Sequence, residues 1–282
     1  LHEVFDKTCE RSIARGMRVT GSELIGLVPK KVLIDAGKHF LKKQERSTGI
    51  NESEIIKIAI KTLGLEELAP FDPQERIIEY MLENDANKPL VNMTLTGFAN
   101  ETASESPAPG GGSIAAYCGA MGISLGTMVA NLSAHKRGWD DKWEEFSNWA
   151  EKGMEYQNTL LGLVDEDTNA FNKIMDAFRL PKDTKADKAK RQDAIQAATK
   201  YAILTPFKVM ETSYNSMEVM KAMAEFGNPN SVTDAGVGAL CARTAVIGAF
   251  LNVKINCGDC TDKAFVEDVL KRGQQLVDDA CA

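Results

Sequence analysis

Hydrophobic residues recur at three- and four-residue steps along most of this chain, which is the spacing of amphipathic helices. Beyond residue 90 the pattern predicts six helices with short connections: about 94–104, 113–133, 140–179, one from about 184 that carries Pro206, 231–251 and 261–280. Pro206 should kink its helix, because proline lacks the backbone N–H. Helices joined by short connections pack as antiparallel neighbours, so residues 90–282 are predicted to form an antiparallel multi-helix bundle.

The first 81 residues show a less regular pattern. Residues 17–29 mix strand-forming residues with turn formers, and short helical patterns follow at about 31–43 and 52–63. We interpret residues 1–81 as a partial α+β segment that is too small to bury much surface alone. Residues 82–89 are polar and end in proline, which is typical of a linker. The predicted fold class is therefore mainly α, with a helical bundle preceded by a small mixed segment.

One acid interrupts the apolar face of the third predicted helix of the bundle. That face consists of apolar residues at helical spacing: Leu160, Val164, Phe171, Ile174 and Phe178. Asp167 falls on this face, whereas Asp165 and Glu166 point elsewhere. Lost hydration disfavours a charged carboxylate and raises its pKa, so Asp167 is a candidate proton donor. The alternatives are a structural acid with an internal partner, or a helix that turns the acid towards solvent.

Composition narrows the function classes. The 282 residues are 44% hydrophobic and 26% charged, which is ordinary for a globular protein, and the net charge of −7 argues against a general nucleic-acid binder. The six cysteines lack the spacing of a disulfide framework, which favours a reducing compartment, and we expect a cytoplasmic protein. Cys257 and Cys260 form a lone C-x-x-C that is only a weak zinc signal, so no metal is predicted. Because the first residue is Leu, we expect a fragment or a processed product.

Residues 114–132 form a stretch without charge that is nearly long enough to span a membrane. Its residues are mostly Ala, Gly, Ser and Met, which favours a buried helix of the bundle over a membrane span. Small residues at Ala115, Gly119, Gly122 and Gly126 form a smooth stripe along it. We expect another backbone or a flat ligand to approach closely there.

A glycine-rich turn precedes this helix. Gly110, Gly111 and Gly112 follow Pro109, and Ser113 is predicted to cap the helix. The free amide groups and the positive end of the helix dipole would suit an anion or a carbonyl group. The alternative is a purely structural turn.

Several charged residues are further candidates for ligand contacts. Arg243 is the only charge in residues 235–253, so we expect it to meet an internal carboxylate or a ligand carboxylate. Arg137 closes the basic loop His135-Lys136-Arg137, and Arg179 and Lys182 lie at the end of the third helix. Ser231 and Asp234 have the spacing of a capping box at the start of the fifth helix, which gives Asp234 a structural alternative.

Several segments together resemble the formimidoyltransferase-cyclodeaminase family. Five of them follow one another in the cyclodeaminase order: residues 106–113, 163–171, 178–182, 227–231 and 248–253. Residues 20–29 and 73–80 resemble the end of the transferase C-terminal subdomain. The transferase N-terminal subdomain, which carries that half's catalytic histidine, has no counterpart, so we expect no transferase activity from this chain.

The resemblance implies an all-α cyclodeaminase of histidine degradation and one-carbon metabolism. It would convert 5-formimidoyltetrahydrofolate to 5,10-methenyltetrahydrofolate and ammonia, with a tetrahydrofolate derivative as substrate and no prosthetic group or metal. Ammonia leaves readily only after protonation, and the family's proton donor falls on Asp167 in this sequence. The resemblance also implies a homodimer or larger homo-oligomer.

The resemblance further suggests which residues contact the folate. The glycine turn and the small-residue helix suit its flat part. Arg137, Arg179, Lys182 and Arg243 are candidates for the carboxylates of the glutamate or polyglutamate tail, by charge pairing. Asn228, Asn230 and Asp234 are candidates for the pterin edges. The family often has a glycine and two arginines near the basic loop, where this chain has His135-Lys136-Arg137, so the role of that loop is open.

Two other functions are compatible with the sequence. Methenyltetrahydrofolate cyclohydrolase shares the helical architecture and folate pocket but uses water and releases no ammonia. A catalytically silent module that only builds an oligomer would use the smooth face from Ala115 to Gly126. The transferase-like segment favours the deaminase over the hydrolase. Asp167, together with the glycine turn and Arg179, argues against a silent module.

Overall fold

The computed structural model describes residues 1–82 and 88–282, which are mainly α-helical as predicted. Residues 83–87, most of the predicted linker 82–89, lie outside the described residues. The chain forms two compact units. One contains residues 1–84 and 130–151 and the other contains residues 85–129 and 152–282, so the units do not follow the chain linearly.

The first unit begins with five helices: α1 (His2–Ile13), α2 (Lys30–Lys43), α3 (Glu52–Leu63), α4 (Pro73–Arg76) and α5 (Ile78–Leu82). Its core includes Leu33, Phe40 and Ile60. In the described part of the chain, the single β pairing is an isolated parallel bridge between Val28 and Ile77. The strand character predicted for residues 17–29 is thus confined to one residue.

Residues 130–151 are fastened to the loop after α2. The carboxamide nitrogen of Asn131 donates to the Gly49 carbonyl oxygen at 2.8 Å, and the Ser47 backbone nitrogen donates to the His135 ring at 3.1 Å. Burial lowers the pKa of His135, and the nearby Arg46 lowers it further. His135 therefore acts here as a hydrogen-bond acceptor for the backbone.

The second unit is built from the six predicted helices, now with observed bounds. They are α6 (Leu95–Thr102), α7 (Gly111–Ala134), α8 (Trp143–Arg179), α9 (Lys185–Phe226), α10 (Val232–Asn256) and α11 (Lys263–Cys281). The ends of α7 and α8 reach into the residues of the first unit. Fully buried side chains of the second unit include Ile123 of α7, Leu160 of α8, and Ile203 and Met210 of α9.

Local sequence signals explain some helix starts and miss others. Thr184 and Asp187 form a complete capping box at the start of α9, and Asp262 caps α11. The predicted cap at Ser113 is wrong, whereas Ser231 is the N-cap residue of α10 but does not form the predicted capping box. Ser113 is the third residue of α7 and donates to α8 instead, and the Ser231 side chain makes no cap hydrogen bond to α10.

The small-residue stripe of α7 packs against other helices. A methyl group on Gly122 would lie 2.7 Å from the Gly238 carbonyl oxygen, and a methyl group on Gly238 would lie equally close to the Gly122 oxygen. A methyl group on Gly119 would meet the Ser213 hydroxyl of α9 at 2.5 Å. The stripe therefore serves close backbone approach, and the prediction that it also seats a flat ligand is wrong.

Two helical segments, Gly111–Ala134 and Pro229–Asp259, are long and apolar enough to cross a membrane by length and composition alone. They contain α7 and α10, which touch each other at Gly122 and Gly238. A helix that packs this closely needs small apolar residues for that reason, so the composition of α7 has an explanation within the fold.

Candidate active site

A cavity of about 160 Å³ opens in the second unit beside the start of α7. Its walls come from the glycine turn, the middle of α8, α9 and the end of α10. The lining residues are Pro107, Ala108, Gly110, Gly111, Asp167, Thr168, Ala170, Phe171, Ile174, Ala202, Asn252 and Asn256. Sites for drug-sized ligands measure roughly 300–1,000 Å³, so this cavity fits one reacting group or ring while the rest of a larger ligand extends outwards.

Asp167 is held in the cavity wall by Ser113. The Ser113 backbone nitrogen donates to Asp167 Oδ2 at 3.0 Å, and the Ser113 hydroxyl lies 3.4 Å from the same oxygen. That hydroxyl also donates to the Val164 carbonyl oxygen at 2.8 Å, which ties the start of α7 to the turn of α8 before Asp167. Oδ1 makes no hydrogen bond to any described residue, so it is the oxygen left to meet a ligand.

The neighbouring Gly112 allows this close contact. A methyl group on Gly112 would lie 2.1 Å from Asp167 Oδ1 and 2.6 Å from Oδ2. Any side chain at position 112 would therefore push the carboxyl out of its place. The glycine turn therefore leaves room for the carboxyl group of Asp167.

The raised pKa predicted for Asp167 is confirmed. Burial raises the pKa of its carboxyl, and the two hydrogen bonds from Ser113 oppose that shift without cancelling it. The predicted apolar face is only partly correct, because Leu160 and Val164 are fully buried whereas Phe171 and Phe178 are 46% and 49% exposed. The start of α7, which packs against the Asp167 carboxyl, therefore also shields it from water.

The two other acids of the segment have separate partners. Asp165 is only 5% exposed, and its carboxylate accepts the backbone N–H groups of Leu90 and Val91 at 2.8 and 3.2 Å. Burial acts to raise the pKa of Glu166, but hydrogen bonds from Tyr201 and Lys173 outweigh it and leave the pKa lowered. The prediction that Asp165 and Glu166 point away from the site agrees with these contacts, although Asp165 is the more deeply buried acid.

Thr168 presents a buried hydroxyl that has no hydrogen-bond partner among the described residues. Other helical threonines, such as Thr127 and Thr205, donate to the carbonyl oxygen four residues earlier. For Thr168 that oxygen belongs to Val164, which already accepts from Ser113. Thr168 is also one of the residues that line the cavity next to Asp167. A tertiary contact creates this feature, so no sequence signal announces it.

Asn252 and Asn256 complete the polar lining. The Asn252 carboxamide nitrogen donates to the Gly248 carbonyl oxygen at 3.0 Å, and that of Asn256 donates to the Ala202 carbonyl oxygen at 2.7 Å. The sequence reasoning did not assign them to the site. Two amides four residues apart at the end of an otherwise apolar helix were the signal that could have found them.

The glycine-turn candidates meet at this cavity, and most other candidates do not line it. Gly110 and Gly111 line it directly, while Gly112 and Ser113 contact Asp167. The predicted residues outside the lining are Arg137, Arg179, Lys182, Asn228, Asn230, Asp234 and Arg243.

These outlying residues have their own surroundings. Arg179 is exposed and pairs with Asp176 at 3.0 Å, and Lys182 is also exposed. The Asn228 side chain accepts the backbone N–H of Asn230 at 3.3 Å. Asp234 is half-buried in the first turn of α10, without the predicted capping box. Arg137 is exposed and belongs to the residues of the first unit.

Arg243 corrects one prediction. It is exposed on α10, and no hydrogen bond or ion pair joins it to a described residue. The expected partner is not needed, because solvent hydrates the guanidinium group.

No group of three or more potential ligand side chains is placed to hold a metal ion within residues 1–82 and 88–282. Cys257 and Cys260 are buried free thiols, and burial raises the pKa of Cys257. The polar groups of the cavity are therefore a carboxyl with a raised pKa, a free hydroxyl and two carboxamides. Such a set can donate a proton and accept hydrogen bonds from N–H groups.

Comparison with known proteins assigns this architecture to a family. A family model described as Formiminotransferase-cyclodeaminase matches residues 94–275, and one described as Formiminotransferase domain matches residues 1–83. The formimidoyltransferase-cyclodeaminases of Gallus gallus and Dictyostelium discoideum are 36% and 34% identical over 99% of this chain. The chain spans about half the length of these relatives, 52% and 51%.

Two further relatives match about two thirds of this chain. The methenyltetrahydrofolate cyclohydrolase of Methylorubrum extorquens is 37% identical over 68% of this chain and 92% of its own length. The crystal structure of formiminotetrahydrofolate cyclodeaminase from Thermotoga maritima matches with a TM-score of 0.58 and 26% identity, covering 67% of this chain and 92% of that one. The resemblance noted from the motifs is thereby confirmed, and the chain belongs to the formiminotransferase-cyclodeaminase family.

Proposed function

We propose that the second unit is a formimidoyltetrahydrofolate cyclodeaminase, an ammonia-lyase that uses Asp167 as its general acid. The observation that carries the proposal is the state of this carboxyl. It lies in a cavity wall with its pKa raised by burial, and Ser113 occupies Oδ2 and leaves Oδ1 for a ligand. A carboxyl whose pKa is raised holds its proton more firmly than a free aspartate, which suits a general acid for an amine leaving group.

The proposed reaction closes a ring and breaks one C–N bond. N10 of the folate attacks the carbon of the protonated formimidoyl group on N5 and forms the new bond. The amine nitrogen takes the proton of Asp167 and leaves as ammonia, and the electron pair for the new C=N bond comes from a ring nitrogen. N10 loses its proton to the carboxylate of Asp167, which restores the acid and balances the reaction.

The cavity supports a substrate that enters with its reacting part only. No cationic side chain belongs to the lining, so the anionic tail of a folate would lie outside the cavity. We propose Arg179 and Lys182 as the first candidates for its carboxylates, because both are exposed beside the end of α8. Arg137 and Arg243 are secondary candidates, and a polyglutamate tail would engage more than one of these charges.

The wider setting is part of the same proposal. A cyclodeaminase joined to transferase sequence fits histidine degradation and one-carbon metabolism in the cytoplasm, with no prosthetic group. Methenyltetrahydrofolate cyclohydrolase is the second candidate function, and the 37% identity to the Methylorubrum extorquens protein favours it. Release of ammonia from the formimidoyl substrate distinguishes the deaminase from the hydrolase, which would add water to the methenyl carbon.

We propose that α7 and α10 also mediate self-association. α10 exposes apolar residues at helical spacing over about 27 Å: Val237, Leu240, Ile247, Leu251 and Ile255. Ile114, Met121 and Met128 of α7 are exposed as well. Contiguous apolar surface of this extent favours a second copy of the chain as its cover. Leu240→Lys should lower the molar mass measured by light scattering, and an unchanged mass would exclude this face.

The test of the enzymatic proposal is Asp167→Asn in the whole chain. We expect turnover to fall about 10²–10⁴-fold, measured both as methenyl product and as ammonia, with thermal unfolding and folate binding retained. Asp193→Asn is the matched control, because Asp193 is exposed on α9 and outside the cavity. Turnover of Asp167→Asn at the control rate would remove Asp167 from the proposed role.

A further inference from the structure

Pro206 of α9 determines how Asn256 faces the cavity. Proline has no backbone N–H, so the Ala202 carbonyl oxygen, four residues earlier, lacks its helical donor. The Asn256 carboxamide nitrogen supplies the missing hydrogen bond at 2.7 Å. A carbonyl oxygen can only accept, so this contact identifies the nitrogen end of the carboxamide, and Oδ1 of this lining residue makes no hydrogen bond to any described residue.

Asn252 is held in the same way one turn earlier. Its carboxamide nitrogen donates to the Gly248 carbonyl oxygen at 3.0 Å, which again assigns the nitrogen to the backbone. A methyl group on Gly111 would lie 3.1 Å from that nitrogen, so the glycine turn packs against the carboxamide. Side chains four residues apart lie on one helix face, so α10 places two carboxamide oxygens along one cavity wall.

The chemistry of this wall selects hydrogen-bond donors. Its two carboxamide oxygens can only accept, and no cation of the lining competes for them. A formimidoyl group differs from a formyl group of the same shape by carrying N–H where the formyl group carries a carbonyl oxygen. The N–H groups of a formimidoyl nitrogen can donate to both carboxamide oxygens. A formyl oxygen has no hydrogen to donate, so its lone pairs would repel theirs and the formyl compound should bind more weakly.

We propose that Asn252 and Asn256 are the specificity-determining residues that accept hydrogen bonds from the formimidoyl nitrogen, and that Pro206 is the positioning residue for Asn256. This inference rests on the proposed cyclodeaminase function. It assigns the leaving nitrogen to the α10 wall, beside the Asp167 carboxyl that protonates it. The site then discriminates between nitrogen and oxygen at one atom of the substrate.

The measurement is a ratio of dissociation constants for two folates. 5-Formimidoyltetrahydrofolate and 5-formyltetrahydrofolate are titrated into the whole chain carrying Asp167→Asn, which stops turnover. Asn252→Leu and Asn256→Leu are then added singly. We expect each to lower the preference for the formimidoyl compound roughly tenfold, the value for one hydrogen bond to a charged group, while 5-formyltetrahydrofolate still binds. Asn215→Leu, exposed on α9, is the matched control and should keep the ratio of the Asp167→Asn parent.

Pro206→Ala tests the positioning without altering a lining residue. Alanine gives the Ala202 oxygen its helical donor back, which frees the Asn256 carboxamide to rotate. The preference should fall while the thermal unfolding temperature holds or rises. An unchanged ratio in this variant would overturn the role of Pro206.

The outcomes separate the inference from the function on which it rests. If both asparagine variants keep the ratio of dissociation constants of the Asp167→Asn parent, the inference is overturned and the cyclodeaminase proposal stands. If the parent protein binds neither folate, or Asp167→Asn still turns over, the proposed function fails first. Loss of stability without a change in the ratio would show that Asn256 serves only the Ala202 carbonyl, and it also overturns the inference.

Discussion

Gly112→Ala offers the sharpest test of the site, because the structure defines the collision that the added methyl group would cause. The added methyl group would lie 2.1 Å from Asp167 Oδ1, where ordinary contacts begin at 3.4 Å, a shortfall of 1.3 Å. The carboxyl or the start of α7 must therefore move by about that distance. A displacement of about 1 Å in a catalytic group costs roughly 10²-fold in rate, so we expect turnover to fall about a hundredfold. Overpacking should also cost about 1–3 kcal/mol of stability.

The assay compares turnover, from ammonia release, with the free energy of unfolding on the same samples. Gly162→Ala is the matched control, because Gly162 lies in α8 five residues before Asp167 and a methyl group there meets nothing within 4 Å. That control should keep full turnover and gain about 0.5–1 kcal/mol from the better helix former. Near wild-type turnover of folded Gly112→Ala would refute the argument that this glycine positions the acid.

Three further predictions follow from the same contacts. The pKa of Asp167 is raised in the folded state, so turnover should fall as pH rises through that pKa. The protonated Asp167 carboxyl contributes to the free energy of unfolding in full below its unfolded-state pKa, and this contribution should be lost as pH rises through its folded-state pKa. Asp167→Asn should flatten this part of the stability–pH profile, and an unchanged profile would contradict the assignment. Thr168→Val removes an unpaired buried hydroxyl, so the unfolding temperature should hold or rise while turnover falls; a clear loss of stability would show that the hydroxyl has a protein partner. Asp165→Ala should cost about 1–3 kcal/mol for each N–H left unpaired at Leu90 and Val91, with turnover of the folded fraction retained; lost turnover at full stability would move Asp165 into the chemistry.

Periodicity predicts the helices of the second unit well, because most of them bury one face over several turns. The helix around Asp167 was predicted from its apolar spacing and the next helix was predicted to begin at about residue 184, and both are confirmed. Ser113 was wrongly predicted to be a cap residue, because the choice between a cap and an interior serine depends on where the preceding backbone turns. That turn is set by tertiary contacts such as the hydrogen bond from Ser113 to Val164.

Parts of the site were beyond reach for a similar reason. α10 is apolar on nearly every face, so spacing cannot tell which side is buried, and exposed Arg243 was expected inside. Asn256 gains its orientation from Pro206, fifty residues earlier in the chain, whose missing N–H acts only after α9 and α10 have packed. Asp167 was predicted from the sequence because it is an acid that interrupts the apolar face of its own helix. A residue is readable from sequence when its neighbours in the chain are also its neighbours in space.

The reciprocal contact of Gly122 and Gly238 makes the cavity sensitive to changes far from it. Helical rise places Gly122 about 16 Å from Gly111 along α7, and Gly238 about 21 Å from Asn252 along α10. Each helix lines the cavity near one end, α7 at its start and α10 at its end. Away from the cavity, the two backbones come into close contact at Gly122 and Gly238. An added methyl group at Gly122 or Gly238 would push the two helices apart and should thereby displace the cavity walls. Ligand binding should then weaken, although neither glycine lines the cavity.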